Sequence, residues 1–121
     1  DGLGLAACIY RNRAVAAVKV DEPARPDYPL AASLAARALM CAPYDQASQH
    51  SLATVYINWG PKAADDGRFD EAIAALAHGL ALTNHRDVRN NLGAVGIDWM
   101  QHLVDAKQDD AAEAAAQRLA K

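Results

Sequence analysis

Apolar residues recur at intervals of three and four along most of the chain, and this spacing predicts amphipathic helices. The clearest case is the segment 52–82, in which two such patterns are separated by a short polar turn at residues 66–68. The first pattern predicts helix A2 over residues 45–66, and the second predicts helix B2 over residues 69–82. The inward stripe expected for A2 is Leu52, Val55, Tyr56, Trp59 and Ala63.

Capping residues mark the ends of these two helices. Asp45 is a good N-cap, because its carboxylate accepts a hydrogen bond from a free N–H of the first turn. Gly67 suits the left-handed conformation that ends A2, and Asn84 ends B2. Pro61 lies inside A2, deletes one backbone hydrogen bond and should bend the helix. Either the bend lets the long helix pack around its neighbours, or the loss of the hydrogen bond leaves the carbonyl of Ile57 accessible to a ligand.

A weaker copy of this pair precedes it. Helix A1 is predicted over residues 3–20, followed by a loop in which Pro23 and Pro26 exclude regular helix. Helix B1 begins after the N-cap Asp27 and stops at Pro43. The apolar positions of A1, which are only loosely periodic, are Leu5, Ile9, Val15 and Val18. Those of B1, which lie along one face, are Leu30, Leu34, Ala38 and Cys41.

A second copy follows, with helix A3 predicted over residues 87–106 and helix B3 over residues 109–120. A period of about 40 residues with two helices per period is typical of an α-solenoid. We therefore predict an all-α fold of about three antiparallel helix pairs in a single domain covering residues 1–121. The repeats are expected at about 3–43, 44–84 and 85–121.

The central segment resembles part of a known repeat. Residues 67–82, GRFDEAIAALAHGLAL, resemble the second half of a tetratricopeptide repeat. The turn glycine, the aromatic residue and the small or apolar positions that carry this likeness are Gly67, Phe69, Ala72, Gly79 and Leu80. Trp59 and Gly60 stand where that repeat usually has a Leu-Gly pair. The period here is longer than the ordinary ~34 residues, and the third copy departs from the pattern at Met100 and Asp109.

This resemblance implies a superhelix of helix pairs in which the A helices line a concave groove. The usual role of such a groove is to bind an extended peptide or a helix of a partner protein, without any chemistry. We therefore predict a protein-interaction module and no enzyme. Two alternatives stay open. The chain could be a self-associating scaffold, forming a homo-oligomer through the faces of A1 or B3, or a non-catalytic accessory domain of a larger enzyme.

Composition and charge are consistent with this class of function. Alanine dominates, and the formal net charge of −3 provides no basic surface for nucleic acid or an anionic membrane. No apolar run approaches the ~20 residues that span a bilayer. A chain of 121 residues is expected to form one domain. It does not begin with Met, so we expect a fragment of a longer chain, and the compartment stays open with the cytoplasm favoured.

Polar side chains at equivalent places on the A helices are the predicted binding site. Asn12, Asn58 and Asp98 align in the three copies, and on the resemblance they would form a ladder that hydrogen-bonds a bound peptide. Alternatively they are ordinary surface residues, or the asparagines bond between neighbouring helices. Arg11 offers a planar fork for a carboxylate. Four residues near this face would make the groove partly apolar: Ile57, Ala64, Ala94 and Ile97. Alternatively, Ile57 and Ile97 are core residues. The complete predicted peptide-binding set is Arg11, Asn12, Ile57, Asn58, Asn91 and Asp98.

The sequence contains no pattern typical of a catalytic, metal or cofactor site. Its histidines lack the four-residue spacing of helical metal ligands, and no Ser-His-Asp order or phosphate loop occurs. Trp59 and Trp99 are expected to be core anchors. Cys8 and Cys41 either form a disulfide, which requires Cα atoms within ~7 Å, or are buried free thiols. Four acidic residues surround the central turn: Asp65, Asp66, Asp70 and Glu71. They form either a solvated edge of the protein or a surface that binds a basic partner.

Overall fold

The computed structural model describes residues 2–21, 24–106 and 109–120, which contain six helices and no strand. The helices are α1 (Gly2–Val18), α2 (Tyr28–Cys41), α3 (Gln46–Asp65), α4 (Phe69–Thr83), α5 (Arg86–Asp105) and α6 (Asp109–Leu119). They correspond in order to A1, B1, A2, B2, A3 and B3, and the predicted all-α fold is confirmed. The predicted loop residue Pro23 lies outside the described residues.

The chain divides into two compact units, Asp1–Tyr56 and Ile57–Lys121. The first contains α1, α2 and the first half of α3, and the second contains the remainder of α3 with α4, α5 and α6. Helices that are adjacent in sequence pack together within these units. The arrangement of three repeats in one domain stays a prediction.

Alanines form most of the core of the first unit, where α1 packs against α2. The buried side chains of these two helices are Ala7, Ala14, Ala31, Ala32, Ala35 and Ala38. Rows of small side chains allow two helix axes to approach closely. Four of the apolar positions that the sequence pattern identified in these helices, Leu5, Ile9, Val15 and Leu30, are exposed. The apolar residues of α1 surround the whole helix, so their spacing did not identify the face that the alanines bury.

The caps of the first unit follow the sequence. The carboxylate of Asp27 accepts a hydrogen bond from the backbone N–H of Leu30 at 3.0 Å, with Pro29 in the first turn of α2. Asp45 accepts from the N–H of Ser48 at 3.2 Å at the start of α3. Each carboxylate satisfies one of the N–H groups that a helix start leaves without a partner. Both predicted N-caps are confirmed.

Two glycines of the second unit make room for leucines of the next helix. A Cβ atom at Gly60 of α3 would lie 2.3 Å from Cγ of Leu76 in α4. A Cβ atom at Gly96 of α5 would lie 2.8 Å from a terminal carbon of Leu119 in α6. The absence of a side chain at each glycine therefore sets how closely its helix pair packs.

The turns of the second unit use left-handed residues. Gly67, between α3 and α4, has a φ of 81°, and Asn84, which ends α4, has a φ of 48°. Glycine adopts this conformation without steric cost, and asparagine tolerates it better than most residues. Both predicted helix stops are confirmed.

Candidate functional site

The structure places the predicted peptide-binding residues in both units. Arg11 and Asn12 belong to α1 of the first unit. Ile57 and Asn58 of α3 and Asn91 and Asp98 of α5 belong to the second.

Arg11 meets a carboxylate of its own chain. Its guanidinium pairs with Asp45, and its Nη1 also donates to Oγ of Ser48 at 3.0 Å. Asp45 Oδ2 accepts in turn from Oγ of Ser48 at 2.7 Å, and Ser48 is fully buried. The three side chains join α1 to the start of α3. Sequence reasoning identified Asp45 only as a helix cap and did not connect it to Arg11.

The same contacts change the acidity of Asp45. The hydrogen bond from Ser48, and then the positive charge of Arg11, lower the pKa of the Asp45 carboxyl below its ordinary value. Both contacts favour the ionised carboxylate, and an intramolecular ion pair already occupies the guanidinium fork that Arg11 would offer a ligand.

Protonation of Asp45 is expected to weaken the first unit. A folded-state pKa below the unfolded value of about 3.9 stabilises the fold above that pH, and the stabilisation is lost as the pH falls through the folded pKa. Asp45→Asn keeps a capping side chain but cannot ionise. Its urea midpoint should therefore fall less than that of the unmodified chain between pH 5 and pH 3.

The control for this prediction is Asp21→Asn, since Asp21 is exposed and its side chain makes no hydrogen bond within the described residues. An Asp45→Asn protein with the same acid-induced loss as the control and the unmodified chain would show that the ion pair does not stabilise the unit. Asp66 is a second contributor, because the hydrogen bond from Arg68 lowers its pKa.

Asn12 and the two cysteines are close in sequence to the residues of this ion pair, since Cys8 and Asn12 lie within three residues of Arg11 and Cys41 lies four residues before Asp45. Asn12 is exposed, and its amide donates within α1 to Sγ of Cys8 at 3.9 Å. Cys8 and Cys41 are free and half-buried, so the disulfide is absent. An open cleft of about 410 Å³ borders Arg11 and Asp45, and it is lined by Leu3, Gly4, Arg11 and residues 41–45. Its two charged side chains neutralise each other, so they provide no unpaired charge to a ligand.

Asn91 satisfies a carbonyl that Pro61 leaves without its helical partner. Proline has no N–H, so the carbonyl of Ile57, four residues earlier, loses its intrahelical hydrogen bond. Nδ2 of Asn91 in α5 donates to this carbonyl at 3.0 Å. The carbonyl that Pro61 exposes is therefore used in packing α5 against α3.

Asn58 and Asp98 are exposed on these neighbouring helices. Asn58 follows Ile57 directly, and Asp98 lies two turns after Asn91, on the same side of α5. Ile97 is 70% exposed and is therefore not a core residue. The other apolar residues expected near this face are half-buried Ile57 and Ala64 and exposed Ala94. Asn58, Ile97 and Asp98 are thus exposed side chains of the second unit.

The two tryptophans are half-buried, and each contacts a charged side chain: Trp59 through its ring N–H and Trp99 through the face of its ring. Nε1 of Trp59 lies 3.4 Å from a carboxylate oxygen of Glu71, which also accepts from Arg68 at 2.7 Å. The guanidinium carbon of Arg118 lies 5.4 Å from the ring centre of Trp99, within the range of a cation–π interaction. Neither ring belongs to the buried core, so the two expected core anchors are only half-buried, and both contact charged residues that the apolar spacing did not indicate.

Arg118 also connects α6 to α4, because its Nη1 donates to Asp70 at 3.0 Å. The acidic residues of the central turn are largely paired in the same way. Lys62 and Arg68 lie 3.6 Å and 3.1 Å from Asp66. These contacts make the turn a solvated, internally neutralised edge.

The part of the chain that the structure describes has neither a metal-binding cluster nor a membrane-spanning helix. Within residues 2–21, 24–106 and 109–120, no group of three or more His, Cys, Asp or Glu side chains is placed to hold a metal ion. No helix among the described residues is long and apolar enough to cross a membrane. Comparison with models of protein families, with curated proteins and with solved structures found no match.

Proposed function

We propose that the chain is a tetratricopeptide-like α-solenoid that binds a peptide or helix of a partner protein. In this proposal the first helices of the pairs line the binding groove, and within the second unit these are α3, from residue 57 onward, and α5. The repeat period, the helix bounds and the packing of sequence-adjacent helices support this architecture.

The contact between Asn91 and Ile57 is the observation that carries the proposal. The 3.0 Å hydrogen bond makes α3 and α5 direct neighbours, although α4 lies between them in sequence. Neighbouring first helices are what a groove of this type requires. Asn58 directly follows Ile57, Asp98 lies seven residues after Asn91 in α5, and both are exposed.

The chemistry of these side chains suits a peptide backbone. An asparagine amide both donates and accepts, so Asn58 can pair with an N–H and a C=O of one extended residue. The Asp98 carboxylate accepts from a further N–H, and hydrogen bonds to a charged group are stronger than those between neutral groups. Affinity would come from the backbone and selectivity from neighbouring side chains.

Removing both polar side chains is expected to weaken binding without affecting the fold. Peptides would be selected from a displayed random library and then measured against the double variant Asn58→Ala with Asp98→Ala. Two lost hydrogen bonds at about 0.5–1.5 kcal/mol each correspond to a loss of affinity of about 5-fold to 140-fold. The melting temperature should stay within 2 °C or so, because surface substitutions of this kind change stability little.

The matched control is Glu113→Ala with Gln117→Ala, which removes two exposed polar side chains from the second helix α6. It should leave peptide affinity unchanged. Equal loss in both double variants, or selection of no peptide at all, would overturn the proposal.

Self-association through α1 is a second candidate, because Leu5 and Ile9 are 65% and 50% exposed. Light scattering of the isolated chain separates the two candidates. A dimer that competes with the selected peptides would favour the scaffold, and a monomer at high concentration would remove it.

A further inference from the structure

The side chain that caps the start of α5 is a histidine. Nδ1 of His85 accepts a hydrogen bond from the backbone N–H of Asp87 at 3.0 Å, and the backbone of His85 is extended. This is N-cap geometry, in which a side chain satisfies one of the N–H groups that a helix start leaves without a partner. Serine, threonine, asparagine and aspartate are the usual residues here, whereas histidine changes its charge between about pH 5 and pH 8. The cap of α5 therefore depends on the protonation state of one ring.

The neighbouring polar groups of the α4–α5 turn have partners that do not titrate in this range. The backbone N–H of His85 donates to Oγ1 of Thr83 at 3.3 Å, and Oγ1 of Thr83 donates to the carbonyl of Gly79 at 2.7 Å. Nη2 of Arg89 donates to Oδ1 of Asn84 at 2.7 Å. Among these groups, the imidazole of His85 alone changes its charge near neutral pH.

Protonation of His85 removes the cap. A protonated imidazole has an N–H at both ring nitrogens and no acceptor, so the N–H of Asp87 loses its partner. The new positive charge lies at the helix N-terminus, where the macrodipole is also positive, and beside the cations Arg86 and Arg89. The carboxylate of Asp87 is exposed and already lies 3.9 Å from Arg86, so it offsets little of this loss. Acid therefore destabilises the first turn of α5.

The other helices of the second unit bring no countercharge to His85 within the described residues. In α4 the last titratable side chain is His78, seven residues earlier. The cations of α3 and α6 in this unit, Lys62 and Arg118, pair with carboxylates of the central turn. The acidic residues of these two helices that form no ion pair among the described side chains are Asp65 and Glu113. The imidazole of His85 has the N–H of Asp87 as its hydrogen-bond partner and forms no ion pair in the described part of the chain.

We infer that His85 is a pH-sensitive cap, which fixes the start of α5 when the ring is neutral and releases it when the ring is protonated. The released segment is short, because Val88 is fully buried and holds the helix from that residue onward. In the proposed function α5 is one of the two groove helices, so peptide affinity would also fall in acid. That consequence rests on the proposed function, whereas the effect on stability requires no ligand.

Nitrogen-15 NMR of the imidazole rings tests the premise. At pH 8, Nδ1 of His85 should have the chemical shift of a nitrogen without a proton, and Nε2 that of an N–H. As the pH is lowered to 5, the amide proton of Asp87 should move upfield together with the protonation of the His85 ring, because it loses its acceptor. A proton on Nδ1 at pH 8, or an Asp87 amide that does not follow the ring, would overturn the inference.

Melting temperatures test the effect on stability. Between pH 7.5 and pH 5.5 the melting temperature of the unmodified chain should fall by about 4 °C, the shift that loss of one N-cap produces in a chain of this size. His85→Asn keeps a good capping side chain that cannot ionise. Its melting temperature should fall by less than half as much over the same range.

The matched control keeps His85 as the sole histidine of the chain. The triple variant His50→Gln, His78→Gln and His102→Gln removes the other three. It should retain the full acid-induced fall, whatever its melting temperature at pH 7.5. Far-UV circular dichroism at pH 7.5 confirms that each variant is folded.

The inference fails if His85→Asn loses as much melting temperature in acid as the unmodified chain, since the titrating group would then lie elsewhere. It also fails if the triple variant shows no acid-induced fall. Because no ligand takes part, both outcomes are decided separately from the proposed function, which the peptide measurements test.

Discussion

Gly60→Ala is expected to lower the free energy of unfolding by about 1–3 kcal/mol, the usual cost of overfilling a packed core. The added Cβ would lie 2.3, 2.5 and 2.6 Å from Cγ, Cδ1 and Cδ2 of Leu76. Leu76 is fully buried, so its side chain has no free space into which it can turn. The higher helix propensity of alanine offsets about 1 kcal/mol of this loss. Urea denaturation measures the net change.

A double variant tests whether the clash with Leu76 is the cause. Leu76→Ala alone should cost about 2–5 kcal/mol, because it leaves a cavity in the core. The Cβ of Gly60→Ala would occupy part of that cavity. The double variant should therefore be more stable than the sum of the single changes indicates, which a double-mutant cycle measures as a favourable coupling.

Gly93→Ala is the matched control, since it makes the same substitution inside a helix where the added Cβ contacts nothing described. It should raise the free energy of unfolding by about 0.5–1 kcal/mol. If Gly60→Ala and Gly93→Ala change stability by the same amount, then the close approach of α3 and α4 does not depend on Gly60.

The helices themselves were predictable because their start and end signals are local. Asp27, Asp45, Gly67 and Asn84 act through their own backbone or through residues within one turn. The conformational preference of one residue is enough to place such a boundary. No knowledge of neighbouring helices is needed.

The packing partners were less predictable. The spacing of apolar residues identifies the stripe of a helix that is buried, but it does not show which large residue of the neighbouring helix packs against which small one. The resemblance identified Gly60 as a small position but could not assign Leu76 to it. In the third pair the equivalent position is Met100, and the close approach occurs instead at Gly96, one turn earlier, against Leu119. Whether a large and a small side chain fit together depends on the positions of both helices, whereas the apolar pattern describes one helix at a time.

The predicted site shows the same division between local and long-range information. The spacing placed Asn58 and Asp98 on the surface of α3 and α5, where the structure has them. It could not reveal that Arg11 pairs with Asp45, because 34 residues separate the two side chains. The binding role of these residues stays a prediction that the peptide measurements test.

The link between Asn91 and Ile57 gives the second large expected effect. Asn91→Ala should lower the free energy of unfolding by about 1–3 kcal/mol, since the partly buried carbonyl of Ile57 would lose its donor. Asn90→Ala is the matched control at the adjacent, exposed asparagine. It should change stability by less than about 0.5 kcal/mol.

Pro61→Ala provides the decisive background for this measurement. An alanine at position 61 has an N–H that can donate to the carbonyl of Ile57 as in a regular helix. In this background the same Asn91→Ala change should cost about 1 kcal/mol less, because the carbonyl keeps one donor. A cost that is equal in both backgrounds would mean that Asn91 stabilises the chain through contacts other than this hydrogen bond.

The cycle also decides how Asn91 should be viewed in the binding site. If Asn91→Ala destabilises the chain and its effect on peptide affinity disappears in the Pro61→Ala background, then Asn91 acts by holding α5 against α3. If stability is unchanged and affinity falls in both backgrounds, then its amide is released to contact the ligand directly. The first result is expected, because a donor that already satisfies a carbonyl inside the protein gains little by exchanging it for another.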